Sequence, residues 1–147
     1  MTTAVDVRAL LEEAAIAALE TMCFVGVLSA DTTEASEDYN AHVAFRGDAN
    51  GCLQIGLSSD AAENIASSFL GEDSEELSQE KIEGVICELV NVICGSMLSA
   101  YKSDGSFLLG SPTPTAKEGF TTQLVQRSFE LETGSMTLRL QLSDLSQ

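Results

Sequence analysis

The chain has little positive charge, no tryptophan and two prolines, and the shortage of positive charge excludes a large class of functions. Its 147 residues include seven lysines and arginines against 23 aspartates and glutamates, which gives a net charge of −16. Proteins that bind nucleic acid concentrate basic residues on one surface, whereas here they are scattered from Arg8 to Arg139. The composition therefore argues against binding to nucleic acid or to anionic lipid.

The sequence also lacks the segments that direct a chain into a membrane. No apolar run reaches the roughly 18 residues that a transmembrane helix needs, and no basic stretch followed by an apolar core stands at the start. We therefore expect a cytoplasmic protein. A length of 147 residues with 44% hydrophobic residues predicts one domain over residues 1–147, large enough to bury its own core.

Cysteine and histidine are too few and too scattered to predict a metal site. The cysteines are Cys23, Cys52, Cys87 and Cys94, with no C-x-x-C pair, and His42 is the only histidine. Zinc sites need several such ligands at close spacing. Two of the cysteines share a helical face but would lie about 10 Å apart along the axis, beyond the reach of a disulfide. We expect buried thiols in a reducing compartment and no metal on this chain.

The chain does contain one long amphipathic stretch, residues 78–102, around which the other elements can be organised. Wound at about 100° per residue, it places an apolar stripe along one side, which predicts a helix packed on a sheet. The stripe consists of Ile82, Ile86, Leu89, Val90, Ile93, Met97 and Ala100.

The opposite side of this helix combines polar residues with two glycines. An isolated glycine inside a helix costs about 1 kcal/mol relative to alanine, so two on one face call for a reason, and the simplest is close approach by another molecule. From the residues alone, an acid and an amide on such a face are usually only solvated. The residues are Lys81, Gly84, Glu88, Asn91, Gly95 and Ser99.

The remaining periodicity predicts the order helix, three strands, two helices, and two or three strands. Thr3 is the expected N-cap of the first helix, Ser59 or Asp60 that of the second, Phe69 should face inward, and His42 should face solvent. Strands joined in hairpins, with helices on one face, give a two-layer α+β domain. The predicted helices are residues 5–21, 59–70 and 78–102, and the predicted strands are residues 23–30, 39–45, 51–57, 107–109, 120–132 and 136–142.

Two further patterns carry little weight. Ser78-x-x-Lys81 matches the S-x-x-K string of penicillin-binding enzymes, but no K-T-G follows and the chain is too short for that architecture. No phosphate-binding or dinucleotide-binding glycine motif is present either. The prolines Pro112 and Pro114 predict a sheet edge or a rigid connection, since proline cannot donate to a strand ladder.

Glu88-Leu-Val-Asn91 resembles the E-x-x-N motif of the CheX/CheC family of chemotaxis phosphatases, in its E-x-x-N-x-x-x-G form. The resemblance covers nearly the whole chain and rests mainly on the order of the elements around the motif. The other similar segments are residues 18–24, residues 51–57, a helix ending in Phe69-Leu-Gly71, and Ser111-Pro112-Thr113.

The resemblance implies a CheC/CheX-like fold and hydrolysis of the aspartyl phosphate on a CheY-like response regulator. In that role Asn91 would orient the attacking water and Glu88 would pair with a lysine of the regulator. Lys81, Gly84, Gly95 and Ser99 would belong to the docking face. No cofactor is expected on this chain, since the resemblance places Mg²⁺ on the regulator. It also implies a homodimer.

Two alternatives to catalysis remain open. A CheX-like domain can serve as a regulator-binding adaptor without phosphatase activity, and an intact E-x-x-N favours catalysis without proving it. A small structural or assembly domain carrying the motif by chance belongs to a different class, and it would be indifferent to phosphorylated regulators. The identity of the regulator and its pathway cannot be read from the sequence.

Overall fold

The order of helices and strands agrees with the order predicted from the sequence. The structure, a computed structural model, describes residues 6–30, 36–101, 105–116 and 125–143. A short 3₁₀ turn, Ser74–Glu76, connects the second and third helices. The elements are α1 (Val7–Met22), β1 (Val27–Ala30), β2 (Tyr39–Gly47), β3 (Asn50–Leu57), α2 (Ser59–Leu70), α3 (Gln79–Tyr101), β4 (Phe107–Leu109), β5 (Val125–Leu131) and β6 (Ser135–Ser143).

The six strands form one sheet in the order β1-β5-β6-β3-β2-β4, and every neighbouring pair is antiparallel. β2–β3 and β5–β6 are the predicted hairpins, and they join along β3 and β6. β1 pairs with β5 and not with the next strand in sequence. α3 packs on β2 and β3, and α1 packs on α3 and β5. This is the predicted two-layer α+β architecture.

The core lies between α3, α1 and one face of the sheet. The alternate residues Ala41, Val43 and Phe45 of β2 are buried toward the helices, as the period of two requires. The predicted stripe of α3 is buried except for Ala100, which is exposed in the last turn. By length and a mean hydropathy of 1.5, α3 could span a membrane, but its apolar side is occupied by the sheet and α1, as in the core helix of a globular domain.

The N-caps of α1 and α2 differ from the predicted ones. Asp6 caps α1 by accepting a hydrogen bond from the Ala9 amide at 3.3 Å, while Thr3 lies outside the described residues. Ser58 caps α2, one residue before the predicted position, by accepting from the Ala61 amide. The Ser58 hydroxyl also accepts from the Ser135 amide at 3.1 Å. A contact with β6, which the local sequence does not reveal, therefore fixes where α2 begins.

The predicted strand over residues 23–30 starts only at Val27. The amides of Cys23 and Val25 both donate to the carbonyl of Leu19, at 3.2 and 3.0 Å, which extends the C-terminal cap of α1 into this region. Phe24 lies between them in the left-handed conformation, with φ of 56°, and is 78% exposed. Because glycine is the usual residue at such a position, the pattern gave no sign of the cap.

The segment after β4 forms a sheet edge, as its prolines predict. Thr113 pairs with His42 of β2 through two backbone hydrogen bonds of 2.9 Å. His42 points away from the helices, as predicted, but it is half-buried, and its Nδ1 lies 2.7 Å from the carbonyl oxygen of Thr115. Pro112 and Pro114 flank the paired residue. The start of the predicted strand over 120–132, residues 120–124, lies outside the described residues.

Each face of the sheet carries an ion pair. Arg127 breaks the apolar alternation of β5 because it faces the helices, where it pairs with Glu12 of α1. On the opposite face, Arg139 of β6 binds Glu37 through two hydrogen bonds of 2.5 and 2.6 Å. Gly56 lies beneath Glu37, and a Cβ at this position would collide with that side chain. The segment before β2 is thereby held against the sheet.

Candidate functional site

The exposed side of α3 is the candidate site, and it is built on an uninterrupted helix. Ser78 caps the helix, with its hydroxyl accepting from the Lys81 amide at 3.2 Å. This cap accounts for the S-x-x-K string. The helix then runs for 23 residues through both glycines without a break. A side chain on a long helix packed against a sheet has a well-defined position, which a site of this kind requires.

The helix brings together the six residues predicted for its polar face. Glu88 is exposed and Asn91, one turn later, is half-buried, so both side chains leave the same side of α3. Lys81, Gly84 and Ser99 are also exposed. Within the part of the chain that the structure describes, neither the Glu88 nor the Asn91 side chain makes a hydrogen bond or ion pair. One carboxylate and one amide are thus available to another molecule.

Internal packing does not explain the two glycines of this face. A Cβ added at Gly84 or Gly95 would meet no atom within 4 Å. At Gly51, by contrast, an added Cβ would collide with the carbonyl of Gln141 on the neighbouring strand. The described residues therefore leave room for a side chain at both helical positions. The glycines flatten a surface that already faces outward.

A positive charge lies at the N-terminal end of the face and is held by an ion pair. Lys81 Nζ donates to Oε1 of Glu72 at 2.8 Å, and the two side chains are 48% and 31% exposed. The hydrogen bond with Glu72, together with the negative charge of that carboxylate and of Glu76, raises the pKa of Lys81. Lys81 is therefore charged at neutral pH. No local sequence pattern pointed to this pair.

Neither Glu88 nor Asn91 lines a cavity formed by described residues alone. A polar cavity of 440 Å³ lies at the N-terminal end of α3, lined partly by Asp38, Gln79, Glu83 and Thr115, but neither Glu88 nor Asn91 lines it. Among the described residues, no group of three or more histidine, cysteine, aspartate or glutamate side chains could hold a metal ion. An exposed acid and a half-buried amide that lie outside these cavities are suited to acting on a macromolecule.

The cysteines have the environment of structural residues. Cys23, Cys52 and Cys94 are buried, and Cys87 is half-buried on the flank of α3. Burial raises the pKa of Cys23 to about 11 and that of Cys94 to about 12. Both thiols are therefore protonated at neutral pH, and a protonated thiol is a poor nucleophile. Three of the four cysteines are therefore buried as expected, and Cys87 is only half-buried.

Solved structures define the class of the fold. The chain is similar to the chemotaxis protein CheX from Vibrio vulnificus, with 17% identity, a TM-score of 0.77, and coverage of 97% of this chain and 100% of that one. It is also similar to a chain in the CheX-CheY-BeF3-Mg²⁺ complex from Borrelia burgdorferi, with 15% identity, a TM-score of 0.75, and coverage of 95% and 99%. At these identities the likeness shows a CheX-type fold and no more. A search of curated protein sequences found no significant match.

The family is shown by the sequence itself. The profile of the family described as chemotaxis phosphatase CheX matches residues 39–132, well over half of the chain. The chain belongs to the CheX family. The matched segment includes all of α3, and with it Glu88 and Asn91.

Proposed function

We propose that this protein hydrolyses the aspartyl phosphate of a CheY-like response-regulator receiver domain. The observation that supports this most strongly is the pair of exposed Glu88 and half-buried Asn91 on the same side of a long helix, inside the segment that matches the CheX family. The cavities lined by described residues include neither side chain, which fits a substrate that is itself a folded protein. The docked regulator then brings its phosphoryl group to the helix.

Asn91 is proposed to orient the attacking water. Its neutral amide can accept a hydrogen bond from water through the carbonyl oxygen and donate one through the NH₂ group. Hydrolysis of an acyl phosphate passes through a loose transition state, so the reaction needs a water held in line with phosphorus more than it needs a new covalent bond. The half-buried position of Asn91 restricts the directions in which the amide can point.

Glu88 is proposed to pair with a lysine of the regulator. The exposed carboxylate has no partner among the described residues, so it can form a charge-assisted hydrogen bond without breaking an existing one. This contact would fix the regulator's active site over Asn91. The two residues thus divide the work, with Glu88 contributing to binding and position and Asn91 to the chemical step.

Mg²⁺ is proposed to belong to the regulator and not to this chain. The related structure from Borrelia burgdorferi is a complex of CheX with CheY, BeF3 and Mg²⁺. Beryllofluoride on an aspartate imitates a phosphoryl group. Metal and phosphoryl group would together supply charge stabilisation, while this chain supplies the acid and the amide.

The remaining residues of the polar face are proposed to shape the docking surface. Gly84 and Gly95 provide low points on either side of Glu88 and Asn91, over which loops of the regulator can pass. Lys81 and Ser99 lie at the two ends of the same face. As the family resemblance implies, we expect the protein to work as a homodimer in the cytoplasm.

The direct test is phosphate decay from purified, phosphorylated receiver domains with and without the protein. Acceleration of decay for at least one regulator supports the phosphatase. If every regulator decays at its intrinsic rate while one still binds, the protein is an adaptor. If none binds and none decays faster, the E-x-x-N match is a chance match in a domain with another role.

A further inference from the structure

The exposed strip of α3 is too small to be the whole regulator interface. A specific complex buries about 800 Å² on each partner, which corresponds to a disc of roughly 16 Å radius. The strip from Lys81 to Ser99 is about 27 Å long and at most about 10 Å wide, or about a third of that area. A regulator seated on Glu88 and Asn91 must therefore touch a neighbouring element as well.

One group of exposed apolar side chains is joined to this strip through a hydrogen-bonded ion pair, between Glu72 and Lys81. Among the described residues, the large exposed hydrophobic ones are Phe24, Leu28, Phe69, Leu70 and Leu108. Leu28 lies on β1 and Leu108 on β4, at the two opposite edges of the sheet, and Phe24 precedes β1. Phe69 and Leu70 end α2, and the chain that follows them reaches α3 through Glu72.

The contacts of Glu72 make this corner a fixed part of the surface. Its amide donates to the carbonyl of Ser67 at 3.2 Å, and its own carbonyl accepts from the Ser67 hydroxyl, so the residue is bound to the last turn of α2. Gly71, between the helix and Glu72, adopts the left-handed conformation that closes a helix. The Glu72 carboxylate then binds Lys81, two turns or about 10 Å before Glu88.

We infer that the α2–α3 corner, formed by Phe69, Leu70, Glu72 and Lys81, is a second contact region for the receiver domain that binds Glu88 and Asn91. The inference rests on the proposed function and adds to it a second region that the partner contacts. Lys81, the member of the corner that lies on α3, is about 10 Å from Glu88 along the helix axis, inside the roughly 16 Å radius estimated above, and Glu72 joins it to the end of α2. Exposed aromatic and aliphatic side chains beside a charged pair have the composition of a protein interface.

Phe69 and Leu70 contribute apolar contact, and Glu72 is a positioning residue. Sequence periodicity placed Phe69 on the inner face of α2, but 39% of it is exposed, as is 38% of Leu70. Since Glu72 ties the end of α2 to α3, both side chains are presented in a fixed place relative to Glu88. Ordering the surface before binding reduces the entropy lost on association.

The test is binding to a beryllofluoride-activated receiver domain, with turnover measured beside it. Leu70→Ser and Phe69→Ser should each raise Kd and KM by about fivefold or more, while kcat at saturating regulator stays within twofold. Leu28→Ser removes an equally apolar, more exposed side chain at a distant sheet edge and should change neither quantity. If the Leu70 and Leu28 variants both bind like the wild type, the corner is not a contact region.

The positioning role of Glu72 has a separate readout. Glu72→Gln and Lys81→Gln should each weaken binding about twofold to fivefold, and the double variant should bind no more weakly than the weaker single variant, because both changes open one corner. Additive losses would contradict this role. An inactive wild type would contradict the proposed function itself. An active wild type whose corner variants bind normally would contradict only this inference.

Discussion

Glu88 and Asn91 lie one turn apart on the exposed side of α3, and no other described residue binds either side chain. The pair stands on a helix whose opposite side is buried against the sheet, so its position is fixed while its polar atoms remain available. An acid and an amide in this arrangement can meet a phosphorylated surface without first giving up internal contacts. The proposed chemistry depends on that availability.

Replacing the open glycines of α3 with alanine should stabilise the free protein. An added Cβ at Gly84 or Gly95 meets nothing within 4 Å, and alanine is favoured over glycine inside a helix by about 0.5–1 kcal/mol. Urea unfolding should show this gain for Gly84→Ala and for Gly95→Ala. Gly51→Ala is the control, and it should destabilise, because its Cβ would collide with the backbone carbonyl of Gln141. A loss of stability in both helical variants would contradict the open environment.

A large side chain at Gly84 should interfere with the regulator and not with folding. Gly84→Leu leaves the helix intact, since the position is exposed, but it raises the surface one turn before Glu88. We expect Kd for an activated receiver domain to rise about tenfold, which corresponds to about 1.4 kcal/mol. Surface plasmon resonance can measure this, with Glu20→Leu on the exposed side of α1 as the control. Unchanged affinity would show that the partner does not approach this part of α3.

The Glu37–Arg139 pair should contribute measurably to stability. The side chains are about one-quarter exposed, at 25% and 24%, and both terminal nitrogens of the guanidinium group donate to the carboxylate. Replacing Glu37 with glutamine should lower the free energy of unfolding by about 1–2 kcal/mol, above the range of a fully exposed pair and reduced by remaining solvent screening. Glu13→Gln, an exposed residue of α1, removes the same charge and should have little effect. Equal stability of the two variants would contradict a structural role for the pair.

Stability should fall at alkaline pH because of the buried thiols. A thiol ionises at an ordinary value of 9.0, whereas burial raises the pKa of Cys94 to about 12 in the folded protein. Above pH 9 the unfolded chain releases a proton that the folded chain retains, so rising pH favours unfolding. Urea midpoints between pH 8 and 10.5 should therefore drop more steeply for the wild type than for Cys94→Ala. Parallel profiles would show that this thiol titrates alike in both states.

The long helix could be predicted from the sequence, whereas contacts between distant residues could not. The long helix and its polar face were predictable because 23 residues of α3 repeat one strong period. Ser58 as the cap of α2 was missed because its hydroxyl is fixed by Ser135, 77 positions away. The left-handed conformation of Phe24 had no local sequence signal, because such a position usually holds glycine. The interaction of Glu72 with Lys81 likewise depends on how a loop folds back on a helix.

The measurement that tests the central claim most directly compares Asn91→Ala and Glu88→Ala in two assays, phosphate decay of the phosphorylated regulator and binding to its beryllofluoride form. We expect Asn91→Ala to abolish acceleration and to change Kd by less than about threefold, because the amide acts on water. Glu88→Ala should weaken both binding and turnover, because the carboxylate contacts the partner. Wild-type acceleration that survives in Asn91→Ala, or an equal loss of binding in both variants, would contradict the assignment of water positioning to Asn91.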